Sequence, residues 1–194
     1  LVLQLTDNNG FYLGLVTAIQ FVPVMLLSLH GGVLADRVDK RKLLIATNSL
    51  AALACYALGI LVVVDVIALW HVFVCASVLG ISGAIDAPIR QSFTSEIVGH
   101  SDLANAVSLN SANFNAGRLI GPAASGLLIV LFGTGVSFII NSLTYVAVVI
   151  ALSMMQKEKL FIEAKPDTSA KLKQAVQYVL GQRELKLVMI AVFF

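Results

Sequence analysis

Gly32-Val33-Leu34-Ala35-Asp36-Arg37-Val38-Asp39-Lys40-Arg41-Lys42 joins two long apolar runs, Phe11–Leu34 and Leu43–Val64. A soluble domain has no reason to interrupt such runs with one short, mostly cationic knot. A chain that crosses a bilayer twice does, because it must turn in water between crossings. The composition points the same way. Of 194 residues, 58% are hydrophobic and 12% charged, whereas soluble domains carry about 25% charged residues. Mean hydropathy is +0.91. A soluble core of this size cannot bury so much apolar surface, so lipid is the solvent for much of it.

Working outward, runs of roughly 20 apolar residues predict five complete spans. These are Phe11–Leu34, Leu43–Val64, Ile67–Pro88, Leu103–Leu131 and Val136–Met155. Leu1–Thr6 reads as the tail of a preceding span and Leu185–Phe194 as the start of a following one. Both ends read as cut, so the chain is expected to be a piece of a longer protein. The expected organisation is an N-terminal transmembrane bundle over 1–155 with a truncated first helix, a cytoplasmic linker over 156–184, and the start of a seventh transmembrane helix over 185–194. Within the linker, Leu172, Val176 and Val179 fall on one face of a helix beside Lys171 and Lys173. A helix lying on the membrane surface fits, as does a solvated tether.

The connections alternate in charge. Asp7-Asn8-Asn9-Gly10, the turn at Asp65, and Gly133-Thr134-Gly135 carry no base. The other side carries Arg37, Lys40, Arg41, Lys42, Arg90 and seven bases from Lys157 to Lys186, twelve of the thirteen in the chain. The positive-inside rule makes that side cytoplasmic. The exception, Arg118, lies inside the fifth span, where a cation is costly unless paired or wet and is therefore a functional or structural anchor.

Several function classes are excluded. No basic face with interleaved aromatics suggests nucleic acid. Cys55 and Cys75 lie in apolar segments without metal-site spacing and read as packing residues. No convergent His/Asp/Glu set suggests catalysis, so no catalytic residue, metal or cofactor is expected. The partners expected are the lipid bilayer and a small-molecule substrate. A membrane-embedded lipid-modifying enzyme is the remaining rival from another class.

Gly31 and Gly32 permit close helix approach. Asp36, at a helix end, needs a nearby cation, with Arg37, Lys40 and Arg41 in reach. In the fifth span Gly117, Gly121 and Ser125 repeat every four residues, a smooth stripe for tight packing, and Pro122 removes a backbone donor and bends the helix. Asp86, near the end of the fourth span, pairs either with Arg118 or with the loop bases, the latter leaving Arg118 facing a central cavity. Gln20, Asn113, Asn115 and Asn141 are candidates to line an aqueous path; the alternative is hydrogen-bonding glue between helices. His71 is expected at the interface and Glu96 in solvent.

Gly32, Leu34, Asp36, Arg37 and Arg41, with the flanking bases, resemble the loop between the second and third helices of the major facilitator superfamily. Asp39 stands where that pattern has glycine and Lys40 where it has arginine. The resemblance implies a six-helix N-terminal half built of inverted three-helix repeats, and a gating loop in which Asp36, Lys40 and Asp86 form a charge relay. Gly117, Gly121, Pro122, Ser125 and Gly126 resemble the fifth-helix signature of facilitator antiporters, with Ser125 replacing a glycine. The stretch from Asp86 to Ser111 resembles the bacterial efflux subgroup that includes enterobactin exporters. These resemblances imply export of a drug, siderophore or metabolite by alternating access, with protons as coupling ion, from a monomer in the bacterial inner membrane. A facilitator-type importer is the alternative within transport.

Overall fold

A computed structural model describes residues 1–99 and 101–156, with the side chains of all of these except 28–37. The expected linker beyond residue 156 and the expected seventh helix, 185–194, lie outside the described residues. The described chain is helical: α1 Val2–Leu5, α2 Gly10–Arg37, α3 Lys40–Val63, α4 Leu69–Val98 and α5 Leu103–Met154. Four of these helices are long and apolar enough to cross a membrane.

The 52 residues of α5 amount to about 78 Å of helix at 1.5 Å per residue, enough for two crossings. They are two arms joined at Gly133, whose φ of 80° and ψ of 169° are open only to glycine. Ser125 lines one groove together with Asn141 and Thr144. A straight helix would hold Ser125 and Thr144 about 28 Å apart, so the chain folds back at Gly133. The five expected spans are therefore present. The expected three-residue turn is reduced to one residue, because Thr134 is already helical and Gly135 is packed against α3.

The knot is also tighter than expected. Helix α2 continues through Arg37, and Lys40 already opens α3. Only Val38 and Asp39 lie between. Asp39 is the N-cap of α3, its Oδ1 accepting from the Lys42 N–H at 3.2 Å, which restarts the helix at once. Helix α4 runs ten residues past Pro88, the expected end of its span, and stops at Gly99, where φ is 72°. That left-handed value favours glycine.

Residue contacts fix the directions. Lys40 meets Glu96, Asn48 meets Asp86, and Cys75 donates to the Ala54 carbonyl at 3.6 Å, so α3 and α4 are antiparallel. Gly59 lies against Gly135 and Asn141 donates to Cys55 Sγ at 3.5 Å, so the second arm of α5 is antiparallel to α3. Helix α2 runs alongside α4, with the Gln20 backbone against Gly80. Lys40, Arg41 and Lys42 gather at one end of the bundle. The other end holds Asp7, Asp65 and Gly133.

Two apolar clusters make the core. One joins Val2, Ala54, Leu58, Val72 and Cys75, flanked by Tyr12, Val16 and Phe138. The other, nearer the basic end, joins Leu44, Ile89, Phe93 and Leu152. The arm 103–132 contributes no buried residue. Phe114, Leu119 and Val130 on it are 66%, 80% and 83% exposed, a surface suited to lipid or to further helices rather than to water.

Candidate functional site

A polar layer separates the two apolar clusters, and α4 supplies its spine. Ser82, Asp86 and Arg90 recur every four residues, which places them on one helix face. Asp86 Oδ2 accepts from Arg90 Nε at 2.8 Å, and Arg90 Nη2 lies at 2.8 Å from the same oxygen. Asp86 Oδ1 accepts from Asn48 Nδ2 at 2.7 Å and from Thr47 Oγ1 at 3.3 Å. Thr47 and Asn48 are held in turn by the Leu44 carbonyl, at 3.1 and 2.8 Å. Both carboxylate oxygens are therefore bound, and the carboxylate and guanidinium cancel in charge. A carboxylate 18% exposed within an apolar helix pair is tolerable only because it is hydrogen-bonded and paired.

Gln20 from α2 and Tyr145 from α5 complete the layer, which borders an open-sided cavity of about 260 Å³ lined also by Ala51, Leu79 and Gly83. Gly80 sets the position of Gln20. A Cβ on Gly80 would strike the Gln20 carbonyl oxygen and come within 3.0 Å of its carbonyl carbon. Ser82 is 4% exposed and its Oγ has no hydrogen-bond partner among the described residues.

At the basic end, Lys40 and Arg41 clamp three helix ends together. Lys40 Nζ lies 2.7 Å from Glu96 Oε1, with side chains 11% and 16% exposed. Arg41 Nε and Nη2 donate to the carbonyls of Leu152 and Ser153, each at 2.5 Å. These carbonyls are in the last turn of α5, whose dipole favours a cation there.

Two expectations are corrected by this geometry. Glu96 is not solvated; it is the partner of Lys40. The expected relay through Asp36, Lys40 and Asp86 does not run through Lys40. Asp86 sits level with Asn48, eight residues along α3 from Lys40 and hence about 12 Å away along the axis, beyond a lysine's reach. The side chains of Gly32, Leu34, Asp36 and Arg37 lie outside those described. Nor does Asp86 meet Arg118, since Arg90 on its own helix takes that place. Arg118 stands on the exposed arm 103–132, its guanidinium 5.8 Å from the Phe114 ring centre, within cation–π range.

The remaining expected residues scatter. Gln20 reaches the cavity. Asn141 bonds Cys55 and, with Ser125, lines a separate groove. Asn115 donates to the Ser111 carbonyl at 2.9 Å and Asn113 is exposed. A Cβ on Gly117, Gly121 or Gly126 would meet nothing within 4 Å, and Pro122 lies within the helix. His71 does more than sit at an interface: its Nδ1 accepts from the Ala68 N–H at 3.0 Å, closing the start of α4.

Residues 6–194 match a family described as the transmembrane secretion effector family, a branch of the major facilitator superfamily. The chain belongs to this family. It is thus an all-α, multi-pass membrane protein, as its helices require. Among its relatives is the Staphyloferrin A transporter of Staphylococcus aureus, 31% identical over 151 residues, which are 77% of this chain and 38% of the relative. Another is the uncharacterized MFS-type transporter YfiS of Bacillus subtilis, 28% identical over 124 residues, 62% of this chain and 28% of the relative. The aligned part thus covers less than two fifths of either relative's length. No solved structure matches this family member.

Sequence reasoning missed Ser82, Thr47 and Arg90 as members of the polar layer, and Gly59, Gly80 and Gly135 as the close-packing glycines. The four-residue spacing of Ser82, Asp86 and Arg90 was the available signal for the first group. The glycines carry none, because isolated glycines look alike until their neighbours are known.

Proposed function

We propose that this chain forms the N-terminal helical bundle, 1–155, of a secondary active transporter that exports a small organic compound by alternating access. The residues from 156 to 184 would form a cytoplasmic linker and 185–194 the start of a seventh helix. The observation that carries this reading is the polar layer of Asn48 and Gln20 around the Asp86–Arg90 ion pair, within apolar helices of a facilitator family member. Ionisable groups at that depth are costly and are retained where a polar species must pass or bind.

Export is favoured by the Gly117, Gly121, Pro122, Ser125 stripe on the arm 103–132, which resembles that of antiporters. Its open surface leaves room for a rocking partner helix. Protons are the coupling ion in this reading, and a monomer in the bacterial inner membrane with its basic end in the cytoplasm is the acting form. The segment Gly32–Lys42 serves as the gating element, because the clamps made by Lys40 and Arg41 tie the start of α3 to two other helix ends.

The test is transport by the full-length protein in inside-out vesicles. Staphyloferrin A is the first compound to try, since a relative is named for it, followed by a panel of small organic acids and cationic drugs. A proton gradient is expected to drive accumulation of at least one compound, and an uncoupler to abolish it. Accumulation only in right-side-out vesicles would mean import. Failure to move any compound in either orientation, with the protein correctly inserted, would defeat the transport reading.

A further inference from the structure

The cavity beside Asp86 holds more hydrogen-bonding capacity than the fold itself uses. Asp86 is fully engaged by Asn48, Thr47 and Arg90. Ser82 is not. The residue is 4% exposed and lines the cavity, and its hydroxyl has no partner among the described residues. A buried hydroxyl without a partner is disfavoured by about 1–3 kcal/mol, and native structures keep few of them unless something outside the chain completes the bond. The Tyr145 hydroxyl and the Gln20 amide line the same space. All three are uncharged, and each can both donate and accept.

The charges in the cavity compensate each other. Asp86 and Arg90 are 2.8 Å apart, so their fields largely cancel a short distance away. An incoming anion would meet the carboxylate and an incoming cation the guanidinium, and either would lose its hydration shell on the way in. The volume, about 260 Å³, is ample for water or for a small molecule. This is below the range of pockets that take drug-sized ligands.

We infer that the space between Ser82, Gln20, Tyr145 and the Asp86–Arg90 pair is a binding site for a small uncharged molecule rich in hydroxyl or amide groups. Ser82 is its deepest contact, and Arg90, half exposed, stands at its open end. The site lies within a single helical bundle. It does not depend on the direction or the coupling of transport, and it is read without a transport measurement.

Thiol labelling tests it in the full-length protein. With Cys55 and Cys75 replaced by alanine, Ser82→Cys and, separately, Gly83→Cys place a thiol on the cavity wall. Gly83 serves as the second site because a Cβ there meets nothing within 4 Å, so that variant folds even if Ser82→Cys does not. Three methanethiosulfonates of similar size serve as probes: hydroxyethyl (neutral), trimethylammonioethyl (cationic) and sulfonatoethyl (anionic). The neutral reagent, itself a ligand of the inferred class, is expected to react about tenfold faster than either charged one, a selectivity set by the cost of bringing an ion into the site. Adding Asp86→Asn leaves Arg90 uncompensated and is expected to raise the anionic rate about tenfold, towards the neutral one. Absence of reaction with every reagent at both positions would mean a closed, dry space and would overturn the inference. Equal rates for all three reagents, or indifference to Asp86→Asn, would overturn it as well.

Discussion

Substituting Gly59 by alanine tests the packing that holds the polar layer in place. A Cβ at Gly59 would lie 2.7 Å from Ile139 Cγ1, 2.9 Å from the Gly135 carbonyl oxygen and 3.0 Å from the Ile139 backbone nitrogen. Ile139 Cγ1 adjoins the branched Cβ of a side chain that is stiff at χ1, and it gives way little more readily than the two backbone atoms. Ordinary contact begins at 3.4 Å, so α3 and the second arm of α5 must part by roughly half an ångström, the kind of shift that costs about 1–3 kcal/mol in a filled interior. Alanine's better helix propensity returns about 0.5–1 kcal/mol, leaving a net loss of about 1 kcal/mol at mid-range. Gly135→Ala meets the same seam from the other side, with Val63 Cγ2 at 2.8 Å and the Gly59 carbonyl oxygen at 3.1 Å. A single separation relieves both, so the double variant is expected to lose less than the sum of the singles. Gly14→Ala, on α2 with nothing within 4 Å, is the control and should be neutral or slightly stabilising. The assay is thermal or denaturant-induced unfolding of the purified protein in one detergent, followed by circular dichroism. Wild-type stability in both glycine variants, or strictly additive losses, would refute the argument that these helices touch backbone to backbone.

Reversing either charge of the Lys40–Glu96 pair, by Lys40→Glu or Glu96→Lys, is expected to destabilise the protein by about 2 kcal/mol, since both side chains are largely covered. Recovery of at least half of that loss by the double swap in the same unfolding assay checks the pairing. Arg41→Gln removes a charged donor from the last turn of α5 and is expected to cost about 1 kcal/mol; Arg41→Lys should keep part of it, and equal losses for the two would argue against a dipole contribution. Asp86→Asn keeps an acceptor for Asn48 but abandons Arg90. In vesicles of the full-length protein it is expected to reduce transport at least tenfold while leaving insertion intact, as judged by yield and protease accessibility. Asp36→Asn, in the same vesicles, is expected to lower transport without affecting insertion, and unchanged efflux would remove the gating role given to Gly32–Lys42.

Much of this architecture was legible because lipid imposes a coarse rule. A chain that must satisfy its backbone internally shows each crossing as an apolar run, and all five expected spans exist within α2 to α5. The boundaries were less legible. Pro88 looked like a terminator, yet α4 continues to Val98 because a helix leaving the hydrocarbon can carry a polar residue such as Glu96 and still use its side chain. Gly133 and Gly135 looked like one turn, yet only Gly133 breaks the helix and Gly135 is a packing residue. Arg41 read as a topology signal, while its guanidinium caps a helix end more than a hundred residues away in sequence.

The partners of Asp86 show why a charged residue can be located from sequence while its role cannot. Composition alone marks an aspartate in an apolar run as significant. Its partner, however, follows from which helices are neighbours and at what depth. Lys40 and Arg118 were each plausible by charge. The first lies too near the membrane face and the second stands on an arm that buries nothing. Arg90 was available throughout, one turn away on the same helix, at a spacing that any i,i+4 pair satisfies. That local pair, tied to α3 through Asn48 and placed between two apolar clusters, makes the layer electrically neutral and leaves the Ser82 hydroxyl as its buried group without a partner among the described residues. Such a layer can be rehydrated or occupied without moving a net charge through hydrocarbon, and Asp86→Asn tests this directly because it removes the charge while leaving the depth unchanged.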